Sequence, residues 1–255
     1  MIRNFINFVL SCVLLAVVCG YRPVVIVHGL FDGPKQFVKL GTFISETHPG
    51  TNVTTVDLYD NMASLKPLWQ QVEGFRKAVL PIMESATDGI HFICFSQETS
   101  YLKKVFPKDI KSGVYRLCYN CWGQKISICN FWNDPHQRVK YLKSNTYLAL
   151  LNGESKTPNI TEWRERFLGI KKLVLIGGPD DGVITPWQSS LFGFYDSNET
   201  VVEMRKQRWY QMDVFGLKTL DSRGDVVQCV VPGVGHVFWH SNITVYKECI
   251  EKWLT

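Results

Sequence analysis

The sequence predicts an α/β protein in which parallel strands are covered by helices on both faces. Short β-branched runs recur along the chain, and an apolar pattern of helical period follows the second of them. Hydrophobic residues make up 45% of the 255 residues and charged residues 20%, as in ordinary globular domains. The composition therefore excludes long disordered, collagen-like and coiled-coil chains.

Residues 1–20 have the features of a cleavable secretory signal. Arg3 is followed by an uncharged apolar run from Phe8 to Val18, which ends in the small residues Cys19 and Gly20. The run is too short to cross a bilayer comfortably, although an uncleaved membrane anchor is the alternative interpretation. Residues 21–255 then form a single domain, and we expect no stable membrane insertion.

Five strands and two helices are predicted in order along this domain. The apolar residues between Leu65 and Ile82 recur every three or four positions and predict an amphipathic helix. The segment from Tyr101 to Phe167 is aromatic, contains cysteines and has no regular period, so we expect an irregular insertion over the sheet. The predicted strands are 22–29, 53–59, 90–95, 172–176 and 226–231, and the closing helix is 242–254.

Reactive groups of a parallel sheet lie in the loops beyond the carboxyl ends of its strands. The first strand ends in His28-Gly29, a dipeptide that fits an oxyanion loop but also an ordinary turn. The third ends at Ser96, the position of a nucleophile, where a capping serine is the alternative. These two loops supply half of a hydrolytic site.

The other half follows the fourth and fifth strands. Asp180 and Asp181 lie in a Gly/Pro-rich loop, where an acid can orient an imidazole or simply make a turn. His236 lies on a glycine-rich loop as a candidate general base, with His240 as its competitor. The order oxyanion loop, Ser, Asp, His is that of α/β-hydrolases, and it predicts a serine hydrolase.

The cysteines and the glycosylation motifs agree with a secretory route. Six cysteines lie outside the leader, and in an oxidising compartment they are expected to form disulfides. Zinc binding by the cysteines at 118, 121 and 129 with His136 is a weak alternative, because no second ligand pair completes a tetrahedral set. The formal charge of +5 is spread along the chain and does not predict nucleic-acid binding. Asn-x-Thr motifs begin at Asn52, Asn159, Asn198 and Asn242.

With these residues identified, the chain resembles the palmitoyl-protein thioesterases over nearly its whole mature length. The stretches that carry the resemblance are PVVIVHGLFD, SLKPLWQQVEGFRKAVLPIM, ICFSQ, LVLIGGPDDGVITPWQSSLFGFYD and GHVFWHSN. The resemblance implies an α/β-hydrolase fold and hydrolysis of long-chain fatty-acyl thioesters in the lysosome, reached through the secretory pathway, with secretion as a further destination. It implies no cofactor and no metal.

Matching the motifs position by position assigns the roles. The nucleophile falls on Ser96, the acid on Asp181 through its spacing to Pro186, and the base on His236. The resemblance further implies backbone oxyanion donors at Leu30 and Gln97, and disulfides Cys118–Cys129 and Cys229–Cys249.

The sequence departs from the family pattern after Gln97. Roughly thirty residues, about one βα-crossover unit, are missing between Gln97 and Glu98. Glu98 also stands where the nucleophile turn favours glycine. We therefore expect this form to be weakly active or inactive. The alternatives are a lipase or carboxyl esterase, since the triad does not distinguish oxygen from sulfur esters, and a non-catalytic lipid-binding form.

Overall fold

The structure is a computed structural model that describes residues 20–96 and 113–255. Most of the predicted leader lies outside the described residues, as do Gln97 and Glu98. Within the described ranges, none of the helices combines the length and the apolar composition needed to span a bilayer.

The first half of the domain forms a parallel sheet of three strands, in the order β2–β1–β3. The strands are β1 (Val24–Val27), β2 (Val53–Thr55) and β3 (His91–Cys94). Strand β2 is shorter than the predicted 53–59, and the chain turns at Tyr59, whose φ is 65°. Parallel pairing brings the carboxyl ends of β1 and β3 to one edge, with Val27 opposite Cys94.

The second half forms a separate parallel pair, β4 (Leu173–Gly177) with β7 (Val226–Val230). A short antiparallel ribbon joins β5 (Phe194–Tyr195) to β6 (Val201–Val202). The prediction of parallel strands is therefore confirmed, but in the described part of the chain these strands form two separate parallel sheets instead of one. Among the described residues, β3 and β4 have no strand between them that would join the two sheets.

Helices cover both faces of β1. Alternate residues of a strand point to opposite faces, and accordingly Val24 and Ile26 pack with the helix that follows β1 and with the C-terminal segment. Val25 and Val27 pack on the other face, against the long amphipathic helix before β3. The α-helices are α1 (Val38–Thr47), α2 (Leu68–Ser85), α3 (Val114–Cys118), α4 (Ser127–Phe131), α5 (Arg138–Ser144), α6 (Leu148–Leu151), α7 (Ile160–Leu168), α8 (Arg208–Gln211), α9 (Leu217–Ser222) and α10 (Ile243–Val245).

The middle segment is more regular than predicted. From residue 113 onward it contains the short helices α3 to α7 joined by turns, so this part is partly helical rather than wholly irregular. The predicted closing helix is confirmed as one uninterrupted helical segment whose type changes along its length: α10 continues as a π-helical turn, Tyr246–Ile250, and a 3-10 turn, Glu251–Trp253.

Two disulfides are present, with the pairing that the resemblance implies. Cys118 is bonded to Cys129 inside the middle segment, and Cys229 of β7 is bonded to Cys249 near the C-terminus. The zinc alternative therefore fails, because two of its proposed thiolate ligands are consumed in a disulfide. The second disulfide fixes the C-terminal segment to the strand that leads into the loop containing His236.

Candidate active site

Asp181 and His236 meet at the carboxyl edge of the β4–β7 pair. Asp181 follows β4 and His236 follows β7, and these adjacent parallel strands end side by side. Nδ1 of His236 lies 2.9 Å from Oδ2 of Asp181, and the backbone N–H of His236 donates to the Asp181 carbonyl at 2.9 Å. With Nδ1 bonded to the carboxylate, Nε2 is the nitrogen that remains for proton transfer.

The Asp181 carboxylate is buried but well supplied with donors. Its Oδ1 accepts backbone N–H bonds from Val183 at 3.0 Å and Ile184 at 2.7 Å. Its Oδ2 accepts a 2.7 Å hydrogen bond from the indole nitrogen of Trp239, besides the contact with His236. Burial alone would raise the pKa of Asp181, but these donors outweigh it and hold the pKa below the ordinary value of 3.8. The group is therefore built to stay ionised.

The neighbouring candidates do not occupy this position. Asp180 uses Oδ2 to accept the backbone N–H of Gly233 at 2.7 Å, which is turn chemistry. The Nδ1 atom of His240 is buried and has no hydrogen-bond partner among the described residues. Desolvation lowers the pKa of His240, which disfavours protonation of its ring. The geometry therefore favours Asp181 over Asp180, and His236 over His240.

Ser96 lies two residues beyond the end of β3, beside the loop that follows β1. The ring of Phe95, the preceding residue, has its centroid 5.3 Å from that of His236. The carbonyl oxygen of Ser96 accepts the backbone N–H of Leu30 at 2.9 Å. This bond uses the amide that the resemblance assigns to the oxyanion hole.

Gly29 makes this close approach possible. A Cβ atom at position 29 would lie 1.4 Å from the Ser96 carbonyl oxygen, so no side chain fits there. Farther along the same loop, Phe31 has a left-handed φ of 58°, a costly conformation for an aromatic residue. The hydroxyl of Ser64 holds it in place by accepting the Phe31 N–H at 2.9 Å. The loop after β1 is thus fixed in an unusual backbone conformation at the site.

A sequence profile described as palmitoyl protein thioesterase matches residues 23–106 and 98–236 of this chain. The chain belongs to the palmitoyl-protein thioesterase family. It is 52% identical to lysosomal thioesterase PPT2 of Rattus norvegicus, over 92% of this chain and 89% of the relative. The Homo sapiens protein of that name is 51% identical over the same shares, and a Drosophila melanogaster homolog is 33% identical over 96% of both chains.

Trp239 is a residue of this candidate site that the sequence alone did not reveal. It lies within the stretch that carries the family resemblance, but tryptophan has no general role in a catalytic triad. Its indole N–H and the His236 ring bond the same oxygen of Asp181. Buried tryptophans usually find a partner for this N–H, and that regularity is the only signal that could have pointed to it.

We expect Trp239→Phe to lower the free energy of unfolding by about 1.5–3 kcal/mol at neutral pH, because a buried carboxylate loses a donor. Losing this donor raises the folded-state pKa of Asp181. A carboxylate whose pKa is lower in the folded than in the unfolded protein stabilises the fold at pH values above the unfolded pKa. This stabilisation is lost as the pH falls through the folded pKa. The difference in unfolding free energy between variant and parent should therefore become smaller below pH 3.8. Urea unfolding of both proteins at pH 7 and pH 3 measures this difference in free energy.

Trp122→Phe is the matched control, because Trp122 is 74% exposed and its loss removes no buried bond. If Trp239→Phe destabilises the protein equally at both pH values, the indole acts through packing rather than through the carboxylate.

Proposed function

We propose that this chain is a lysosomal serine hydrolase of the α/β-hydrolase fold that acts on thioesters of long-chain fatty acids. The observation that carries the proposal is the 2.9 Å contact between Asp181 and His236 on the loops after two parallel strands. Ser96 is the proposed nucleophile, one residue beyond the aromatic ring that packs on His236. The family and the names of its relatives support thioesters rather than oxygen esters as substrates.

In the proposed mechanism, Nε2 of His236 removes the proton of the Ser96 hydroxyl as its oxygen attacks the thioester carbonyl. Asp181 holds the ring and stabilises the imidazolium. Collapse of the tetrahedral intermediate breaks the carbon–sulfur bond, and His236 returns the proton to the leaving thiolate. Water, deprotonated by His236, then releases the fatty acid from the acyl-serine and restores the hydroxyl.

We further propose that this form is weakly active. The profile matches the chain in two pieces that overlap at residues 98–106, which supports a missing segment near Gln97. The alignment with the rat relative covers 268 positions, whereas 92% of this 255-residue chain is about 235 residues, so some thirty positions of it face gaps. The separation of β3 from β4 fits the loss of a strand at that point. Because the Leu30 N–H is already bonded to the Ser96 carbonyl, it does not donate a hydrogen bond to an oxyanion in this proposal.

Lysosomal delivery through the secretory pathway is supported by the leader and the glycosylation motifs. Asn52, Asn159 and Asn198 are exposed and suit glycan attachment. Asn242 differs, because its Oδ1 accepts the backbone N–H groups of Thr244 and Val245 as the cap of α10. We propose that the first three motifs carry glycans and that Asn242 is the least accessible.

The chemistry is tested by comparing hydrolysis of a palmitoyl thioester with that of the matching oxygen ester by the purified chain. We expect slow turnover of the thioester in excess over the oxygen ester, and none after Ser96→Ala. A faster reaction with the oxygen ester would identify an esterase. Residual turnover that survives Ser96→Ala would remove Ser96 from the mechanism.

A further inference from the structure

The disulfide loop, residues 118–129, and its flanks expose an unusual set of apolar side chains. Trp122 is 74% exposed, Leu117 60% and Ile126 42%. Across from α3, Val139 on α5 is 81% exposed, and the ammonium of Lys140 on that helix lies 3.9 Å from the centre of the Tyr115 ring. Exposed apolar groups that cluster in this way mark interaction surfaces.

Basic side chains surround these apolar groups. Residues 113–147 contain five Lys or Arg and one Asp, so this segment carries +4 of the chain's formal charge of +5. The charge is therefore concentrated here, contrary to the expectation that it is spread along the chain. Arg138 pairs with Glu154. Among the described residues, the other four bases form no ion pair with an acidic side chain: Arg116, Lys125, Lys140 and Lys143.

The disulfide loop is held rigidly from inside. The buried Gln124 amide donates to the carbonyls of Cys118 at 2.8 Å and Cys129 at 3.0 Å, bridging both ends of the disulfide. The buried Asn130 side chain donates to the Gln124 carbonyl at 2.8 Å and accepts the N–H of Leu68, at the start of α2, at 2.8 Å. The exposed side chains therefore project from a preorganised support.

The same support reaches the active-site edge. Ser127, at the start of α4, donates its hydroxyl to the Ser64 carbonyl at 2.7 Å. The Ser64 hydroxyl in turn accepts the Phe31 N–H in the loop after β1. The surface thus belongs to a segment that is linked through Ser64 to the loop after β1, the loop that also contacts Ser96.

We propose that this surface, formed by Leu117, Trp122, Ile126 and Val139 within the basic rim, adsorbs to an anionic lipid bilayer. Tryptophan favours the headgroup region, where its apolar ring and its N–H are both satisfied. Lysine and arginine near the surface are attracted by anionic headgroups, and two kinds of signal together give stable but reversible binding. Nucleic acid matches the charge but offers no partner for Leu117, Ile126 and Val139.

The test is sedimentation of the purified chain with sucrose-loaded vesicles. Vesicles of phosphatidylcholine with one-third phosphatidylserine should bind the protein, and pure phosphatidylcholine vesicles should bind it far less. Leu117→Ala with Trp122→Ala should lower the partition coefficient about tenfold, through loss of buried apolar area. The double variant Lys125→Gln with Lys140→Gln should lower the partition coefficient about twentyfold. Salt at 1 M should remove the same electrostatic contribution to binding.

The matched controls are Val38→Ala with Met212→Ala, two apolar residues of similar exposure elsewhere, and Lys171→Gln with Lys247→Gln. Both should bind as the parent does. Equal binding to the two vesicle types, or equal loss in the control variants, would overturn the proposal. So would binding to a soluble polyanion that competes with the vesicles and is unaffected by Trp122→Ala. Binding involves no catalytic step, so this result is independent of the thioesterase assay.

Discussion

Insertion between Gln97 and Glu98 of the segment that we propose this chain lacks, taken from the rat relative, is expected to raise thioesterase activity at least a thousandfold. Each oxyanion donor contributes about 10²–10³ to kcat in acyl transfer, and this chain has one of its proposed donors bonded to Ser96. We expect a helix placed directly after the proposed nucleophile to redirect the Ser96 carbonyl into helical hydrogen bonding and to free the Leu30 N–H. The measurement is kcat/KM for a palmitoyl thioester with and without the segment.

Two further variants serve as controls for this comparison. A glycine–serine stretch of equal length should restore nothing, because it supplies neither strand nor helix. The restored chain with Ser96→Ala should lose the gained activity. If the short chain already matches the restored one, the bond between Leu30 and Ser96 does not limit catalysis.

In the restored chain, Asp181→Asn is expected to lower kcat by about 10³–10⁴ with little change in KM. An amide in place of the carboxylate donates to Nδ1 and leaves His236 in the wrong tautomer, as the same exchange does in a protease triad. The lowered pKa of Asp181 keeps its carboxylate ionised at neutral pH, where it can orient His236. Steady-state kinetics at neutral pH measures kcat and KM of the two chains.

Asp180→Asn is the natural control, since Asp180 is adjacent in sequence and bonds the Gly233 N–H instead of the imidazole. We expect its kcat to stay within a few-fold of the parent. Equal losses from the two exchanges would mean that the loop conformation, rather than the Asp181–His236 bond, determines the activity.

The positions of Asp181 and His236 could be predicted because one rule sufficed: groups that follow neighbouring parallel strands meet at one edge of the sheet. Strand β1 was equally clear, since a run of β-branched residues between proline and glycine leaves few alternatives. The division of the sheet could not be read from periodicity, because each strand keeps its own pattern whether or not its neighbour is present.

The helices of the middle segment could not be predicted, for a different reason. Its helices α3 and α4 are only five residues long and are held by a disulfide and by the buried amides of Gln124 and Asn130. No apolar stripe forms over so short a length, so hydrophobic periodicity carries no signal. The Leu30–Ser96 hydrogen bond was invisible for a related reason, because backbone pairing between distant loops leaves no trace in residue type.

The contact between Gly29 and the Ser96 carbonyl also bears on inherited variation. Residue 29 performs no chemistry and makes no contact through a side chain, so a change there looks mild by residue type. Yet even alanine would place its methyl carbon inside the carbonyl oxygen of the proposed nucleophile. An inherited replacement of Gly29 is therefore expected to remove whatever activity depends on Ser96, although the two residues lie 67 positions apart in the sequence.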